Sequence, residues 1–208
     1  MNRKRMRTVY VLVATFAVSA LVGCGGKEPT PATSETANVQ VLSANPEPSR
    51  DRPVLEPPER LAAMDDPGKD GAIAAGEYLY RLSIYAAASG DTAEFENLSD
   101  EDCMKCADFV VQVNSLYESG GYWTSMPEVT IRDSRYLQFE EYPDHHVAIL
   151  EVSTKSYRYV DGEGELHFAN ADAKIVAFIV TYSDGWVLVG IMDLPNEVSL
   201  ESFDNEEQ

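Results

Sequence analysis

Apolar positions fall into four regimes along this chain. From Thr8 to Val22 they run without a single charged residue. From Gly25 to Lys69 they are sparse, no aromatic appears, and eight of the chain's eleven prolines are found there. Beyond Asp70 they recur every three or four residues. Ala75, Tyr78, Leu79, Leu82, Tyr85 and Ala86 would share one face of a helix. Gly90 stands where a helix end favours a left-handed backbone. Asp91 is placed to cap a short second helix through Phe95 to Leu98. Ser99 and Asp102 form an N-terminal cap pattern for a third helix, with Cys103, Cys106, Val110, Val113 and Tyr117 as its buried stripe. Asp100, Glu101 and Asp102 suit the positive end of its dipole. Gly120 and Gly121 stop it.

From Tyr122 the period changes to two. Val129, Ile131, Leu137 and Phe139 alternate along one strand, with a bend or bulge expected at Asp133 and Ser134. Val147 to Tyr159 reads as one long strand. Asp161 to Gly164 is a turn, and Leu166 to Phe168 a short extension of the next strand, Lys174 to Tyr182. Ser183-Asp184-Gly185 is a hairpin turn leading into Trp186 to Leu194. Ile175–Val180 and Trp186–Ile191 are apolar on both faces, which predicts central positions for both strands. Helices followed by an antiparallel meander make an α+β domain over residues 70–195. Residues 196–208 form an acidic tail with frayed character.

The N-terminal regime carries an address. Met1 to Arg7 is basic, Thr8 to Ala20 is apolar, and small residues follow, which is the layout of an export signal. The apolar run of 15 residues, Thr8 to Val22, falls short of the roughly 20 that span a bilayer as a helix. Leu21-Val22-Gly23-Cys24 resembles the bacterial lipobox. That resemblance implies a signal peptide over residues 1–23, a diacylglyceryl group on the sulfur of Cys24, and a mature chain beginning there. The expected location is the extracytoplasmic face of the cell membrane. Residues 24–69 then read as a proline-rich stalk that cannot bury enough apolar area to offset its ordering entropy. A flexible chain of this length spans roughly 40 Å. Arg60 to Met64 reads as one helical turn leading into the domain.

Charge narrows the partners. Lys plus Arg total 16 against 35 Asp plus Glu, a net charge of −19. Removing the leader takes Arg3, Lys4, Arg5 and Arg7 and no acid, leaving 12 bases against 35 acids, or −23. Nucleic acid is not an expected partner, because phosphate binding needs a basic footprint. The same charge argues against docking on anionic lipid through basic patches. At 44% hydrophobic residues the chain can still bury a core.

Cys103 and Cys106 admit three readings: a structural disulfide, a redox dithiol, or half of a metal site. A redox pair needs a depressed thiol pKa. A helix N-terminus and Lys105 favour one, but three preceding acids oppose it, and no strand leads in as a thioredoxin layout requires. A zinc site wants four ligands, and His145 and His146 are distant and adjacent. The disulfide is the expectation. No phosphate loop, nucleophile elbow or metal-ligand run is present, so no catalytic, cofactor or metal residue is assigned. If the sheet curls into a cone, Asp133, Arg135, Tyr182 and Asp193 are the polar candidates for its lining; the preferred alternative is that Asp133 and Arg135 form a solvated bulge and Asp193 merely ends a strand. Tyr136, Tyr157 and Tyr159 are expected in cross-strand packing.

Four segments carry a family resemblance: Glu77-Tyr-Leu-Tyr80, Tyr85-Ala-Ala-Ala-Ser-Gly-Asp-Thr92, Ser99-Asp-Glu-Asp-Cys-Met-Lys-Cys106 and Leu116-Tyr-Glu-Ser-Gly-Gly121. They resemble a family of actinobacterial lipoproteins of unknown function, over roughly Tyr78 to Trp123. The element order is similar to the cone-shaped nuclear-transport-factor-like fold (SnoaL-like, cystatin-like). It departs from that pattern in lacking a strand between the second and third helices. The resemblance implies N-terminal helices on a curved antiparallel sheet and brings no activity with it. The function expected is a non-catalytic module that binds an envelope protein or small ligand. An extracytoplasmic enzyme with a polar-floored cone pocket and a thiol oxidoreductase are the alternatives.

Overall fold

The first helix dictates the architecture, because twelve of its 21 residues are buried and the sheet must wrap to meet them. The computed structural model describes residues 55–195 and 197–203. The chain divides into two units, Met1–Asn45 and Pro46–Gln208, and all described residues belong to the second. The expected signal segment, Cys24, the stalk up to residue 54, Asn196 and the tail from 204 lie outside the described residues.

Three helices come first: α1 (Lys69–Ser89), α2 (Ala93–Asn97) and α3 (Met104–Glu118). Gly90 adopts φ 79° and ends α1 with its N–H on the Ala86 carbonyl. The cap of α2 falls one residue later than expected, on Thr92, while Asp91 accepts the Ala93 N–H at 3.2 Å. The cap of α3 falls on Cys103 rather than on Ser99 or Asp102. Ser99 instead donates back to the Phe95 carbonyl at 2.7 Å, and Asp100 accepts the Asp102 N–H. The Ser99 hydroxyl is thereby satisfied inside the loop and is not available to the helix.

Seven strands follow: β1 (Tyr122–Trp123), β2 (Val129–Gln138), β3 (His146–Thr154), β4 (Tyr157–Val160), β5 (Leu166–Ala169), β6 (Asp172–Tyr182) and β7 (Trp186–Asp193). They form two antiparallel sheets, ordered β2-β3-β6-β7 and β1-β4-β5. The single long strand expected from Val147 to Tyr159 is therefore two strands in different sheets, broken at Lys155 and Ser156. The extension expected at Leu166 is a strand of the smaller sheet. β7, expected centrally, is an edge. Its outer side is covered at Leu188, which donates to the Leu98 carbonyl and accepts from the Asp100 N–H. That cover gives the edge the protection an exposed strand lacks.

Two one-residue bulges decide which side chains face the helices. Register skips Arg132 between Ile131 and Asp133, and skips Val189 opposite Ile179 and Val180. A one-residue insertion moves every later side chain to the opposite face. Val129, Ile131 and then Tyr136 accordingly pack with the helices, while Leu137 turns to the other side. The main core joins Tyr78, Leu79 and Leu82 of α1 to Leu150, Val152, Val176, Phe178, Val180 and Leu188. Val147, Ile149 and Ala177 face outward and are covered by Leu200 and Phe203 of a 3-10 turn, Leu200–Phe203.

The folded region reaches past residues 70–195 at both ends. A 3-10 turn, Ala62–Asp65, places Met64 in the core at 3% exposure, and Leu55 and Leu61 pack beside it. Leu200 is 6% exposed on the outer face.

Candidate binding cleft

Between the helices and the two sheets lies a cleft of about 540 Å³. Each wall has a local origin. α1 contributes Tyr80, Ser83, Ile84 and Ala87, which recur at helical spacing on the side turned from the deepest core. α3 contributes Lys105 and Phe109, four residues apart and hence on one face. The smaller sheet contributes Trp123 and Tyr157, stacked with ring centroids 4.1 Å apart. The main sheet supplies the floor, with Val176, Phe178 and Ile191. Phe95 and Phe109 lie 4.9 Å apart, joining α2 to α3 along one side.

The break at Lys155 and Ser156 creates this space. β3 ends at Thr154, and the chain resumes as β4 in the second sheet, so Tyr157 stands across the cleft from β6 rather than continuing beside it. Polar groups in the cleft are mostly engaged. The Tyr80 and Thr154 hydroxyls are hydrogen-bonded at 3.0 Å. Ser83 donates to the Tyr80 carbonyl at 2.7 Å. Lys174 and Asp193 form an ion pair at 2.7 Å. Burial raises the pKa of Tyr157, with the neighbouring Tyr159 and Asp172 adding to it.

The four polar lining candidates separate here. Asp193 lines the cleft. Asp133 and Arg135 form an ion pair at 2.8 Å on β2, outside it. The Ser134 N–H holds Asp133 below its ordinary pKa, against burial, which raises it, and with help from Arg135. Tyr182 lies at the end of β6, edge-on to Trp186 at 5.0 Å. The bulge at Arg132 is the physical reason that Asp133 and Arg135 belong to a solvated kink.

Cys103 and Cys106 are joined in a disulfide, with Cα atoms 5.3 Å apart, and both are buried. The bond ties the N-cap of α3 to its first turn and encloses Met104 and Lys105. The histidines stand apart from the cleft. His146 Nδ1 lies 2.8 Å from the Tyr136 hydroxyl, and burial lowers its pKa. Its ring meets Trp186 edge-on at 5.1 Å, and among the described residues the buried Trp186 indole N–H has no hydrogen-bond partner. His167 bonds Asp161 at 2.6 Å across the β4–β5 hairpin and stacks on Tyr159 at 4.9 Å. Tyr136, Tyr157 and Tyr159 are thus engaged in packing, as their cross-strand positions imply. Among the described residues, no three His, Cys, Asp or Glu side chains are grouped to hold a metal ion. No described helix is long and apolar enough to cross a membrane.

Residues 45–191 match the model of a protein family described as a family of unknown function, DUF6318, and the chain belongs to that family. No curated protein matches the sequence. Among solved structures, the chain is similar to an uncharacterised protein with a cystatin-like fold from Caulobacter vibrioides. Identity there is 9%, coverage is 65% of this chain and 95% of that one, and the TM-score is 0.39. It is also similar to the association domain of CaMKII from C. elegans, at 14% identity, 61% and 100% coverage, and a TM-score of 0.38. A third is a putative polyketide cyclase from Xanthomonas campestris pv. campestris, at 12% identity, 64% and 96% coverage, and a TM-score of 0.27.

Proposed function

We propose that this member of the DUF6318 family is a lipid-anchored, extracytoplasmic module that binds a small apolar ligand without transforming it. The observation that carries the reading is the cleft of about 540 Å³ between α1, α3 and the two sheets. It falls within the size range of small-molecule sites and has their character, apolar walls with few polar groups. Ile84, Phe95, Phe109, Trp123, Val176 and Phe178 offer mainly hydrophobic and aromatic contact. The aliphatic hydroxyls and one of the lysines in the cleft are already engaged. The Ser83 and Thr154 hydroxyls are each hydrogen-bonded, and Lys174 is ion-paired. No histidine or free thiol stands beside them among the described lining residues. Activation of the Ser83 or Thr154 hydroxyl as a nucleophile needs a base beside it, and here those hydroxyls are bonded to a carbonyl and to another hydroxyl instead.

The anchor rests on the sequence of the leader. The basic start, the apolar run and Leu21-Val22-Gly23-Cys24 support lipidation at Cys24, and the prolines after it support a stalk. Metabolic labelling with a fatty acid tests this part. Wild type should carry label and sediment with membranes, and Cys24→Ala should do neither. Label retained by Cys24→Ala contradicts it.

The cleft is tested by titration with the neutral dye N-phenyl-1-naphthylamine, read by fluorescence. Wild type should bind it saturably. Ala87→Trp, which fills the cleft from α1, should reduce binding while leaving the thermal transition in place. Unchanged binding in that variant would place the dye elsewhere.

A further inference from the structure

We infer that the cleft is selective for an anion: a flat apolar molecule with one acidic group, which it seats against Lys105. This inference rests on the cleft reading above and adds the charge of the ligand. It comes from the charges that line the site. Lys174 is neutralised by Asp193 at 2.7 Å. Lys105 lines the same cleft from α3, and among the described residues no hydrogen bond or ion pair engages it. A cation without a partner at an apolar cleft is unusual in a chain whose net charge is −19. Acids outnumber bases by more than two to one in the sequence, yet among the described residues none is spent on this lysine.

Its placement is built. Cys103 and Cys106 flank Lys105 closely and are joined, so the first turn of α3 is tied on both sides of it. Phe109, one turn further on, faces the cleft beside it and packs on Phe95. A ligand ring lying along Phe109 would therefore carry its acidic group toward Lys105. The turn also presents the positive end of the α3 dipole, which adds to the attraction for an anion.

Acids near this position have other orientations. Asp100, half-buried, turns back to the Asp102 N–H, Glu101 and Asp102 are exposed, and none of the three lines the cleft. Asp172 does line it, but from the start of β6, on the sheet side and opposite Thr154. The cleft is therefore polarised, cationic at the α3 wall and anionic at the base of β6. A ligand whose single charge is negative fits the α3 wall, where the aromatic surface of Phe95 and Phe109 also lies.

Two dyes that differ by one acidic group test this on the mature protein. N-phenyl-1-naphthylamine is neutral, and 8-anilino-1-naphthalenesulfonate carries the same rings and a sulfonate. Wild type should bind the sulfonate more tightly, by roughly threefold to tenfold, as expected for a partly exposed charge pair. Lys105→Gln should remove that preference, so that the two dyes bind the variant with equal affinity. Lys155→Gln, which deletes an equal charge from the exposed Lys155–Glu128 pair, should leave the preference intact. The preference should also collapse near 1 M salt, where the screening length is about 3 Å. Equal affinity of wild type for both dyes, or a preference that survives Lys105→Gln, overturns the inference and leaves the cleft reading standing. Binding of neither dye overturns both.

Discussion

Gly76→Ala sets two forces against each other, and the structure decides the sign. Gly76 lies in the middle of α1, where alanine would ordinarily stabilise by about 1 kcal/mol through helix propensity. A Cβ at this position would stand 2.6 Å from the Ala148 Cβ. Carbon atoms rest at about 3.5–4.0 Å, so roughly 1 Å must be found. Ala148 is fully buried in β3, and a methyl on Cα cannot rotate away. α1 must therefore lift from β3, loosening the contact that Tyr80 makes edge-on with Phe178 at 6.4 Å. Overpacking of this kind costs about 1–3 kcal/mol. Set against the propensity gain, the variant should be destabilised by about 1–2 kcal/mol. Urea unfolding of the mature chain, followed by far-UV circular dichroism, measures it. Ala148→Gly removes the opposing methyl, so the double variant should be more stable than the sum of the two single effects, by about 1 kcal/mol. A Gly76→Ala protein as stable as wild type, or strict additivity in the cycle, would refute the close approach of α1 to β3.

Four further outcomes follow from the structure. Met64→Ala should cost about 2–4 kcal/mol, because Met64 is 3% exposed in the core. A chain starting at Asp70, which also lacks Leu55 and Leu61, should unfold at a clearly lower temperature than one starting at Pro46, and coincident transitions would contradict this. Purified protein should show no thiol at Cys103 or Cys106 before reduction, and replacing both with Ala should cost about 2 kcal/mol from loop closure without abolishing the fold. Turnover of a disulfide substrate that the double variant loses would make the pair a redox centre instead. Asp161 should titrate below a free aspartate, because His167 and two backbone N–H groups bond its carboxylate. A depressed carboxyl pKa stabilises the fold above the unfolded value of about 3.9 and loses that effect as pH falls through the folded value. Carboxyl chemical shifts read by NMR should move toward the free value in His167→Ala, and an unchanged titration would contradict the clasp.

Long periodic segments were legible in the sequence, and single-residue events were not. The face of α1 was readable because Ala75, Tyr78, Leu79, Leu82, Tyr85 and Ala86 repeat over four turns before Gly90 ends them. The break at Lys155 and Ser156 left no trace, since neither residue is Gly or Pro and both flanking segments keep a period of two. The bulges at Arg132 and Val189 are equally silent, and each reverses the faces that follow it. Apolar residues on both faces of β7 pointed to a central strand, whereas the segment around Ser99 covers its outer edge at Leu188. The site suffered most from these breaks. Asp193 was one of four conditional candidates and was read by preference as a strand end, and Phe109, Trp123, Tyr157 and Lys174 come from four elements that only the two-sheet arrangement brings together. Lys105 carried a signal of its own, as a cation between two cysteines, and its relevance shifted from the thiols to the cleft once the sulfurs were seen to be joined.

The cleft is tested most directly by locating a bound molecule. Methyl-resolved NMR of the mature protein, titrated with 8-anilino-1-naphthalenesulfonate, reports each wall separately. Ile84, Val176 and Ile191 line the cleft, and their methyl signals should shift together along one saturating curve. Ile149 and Leu200 lie on the opposite face of the main sheet, and theirs should stay in place. Shifts centred on Ile149 and Leu200, or scattered without saturation, would contradict a ligand-binding cleft between the helices and the two sheets.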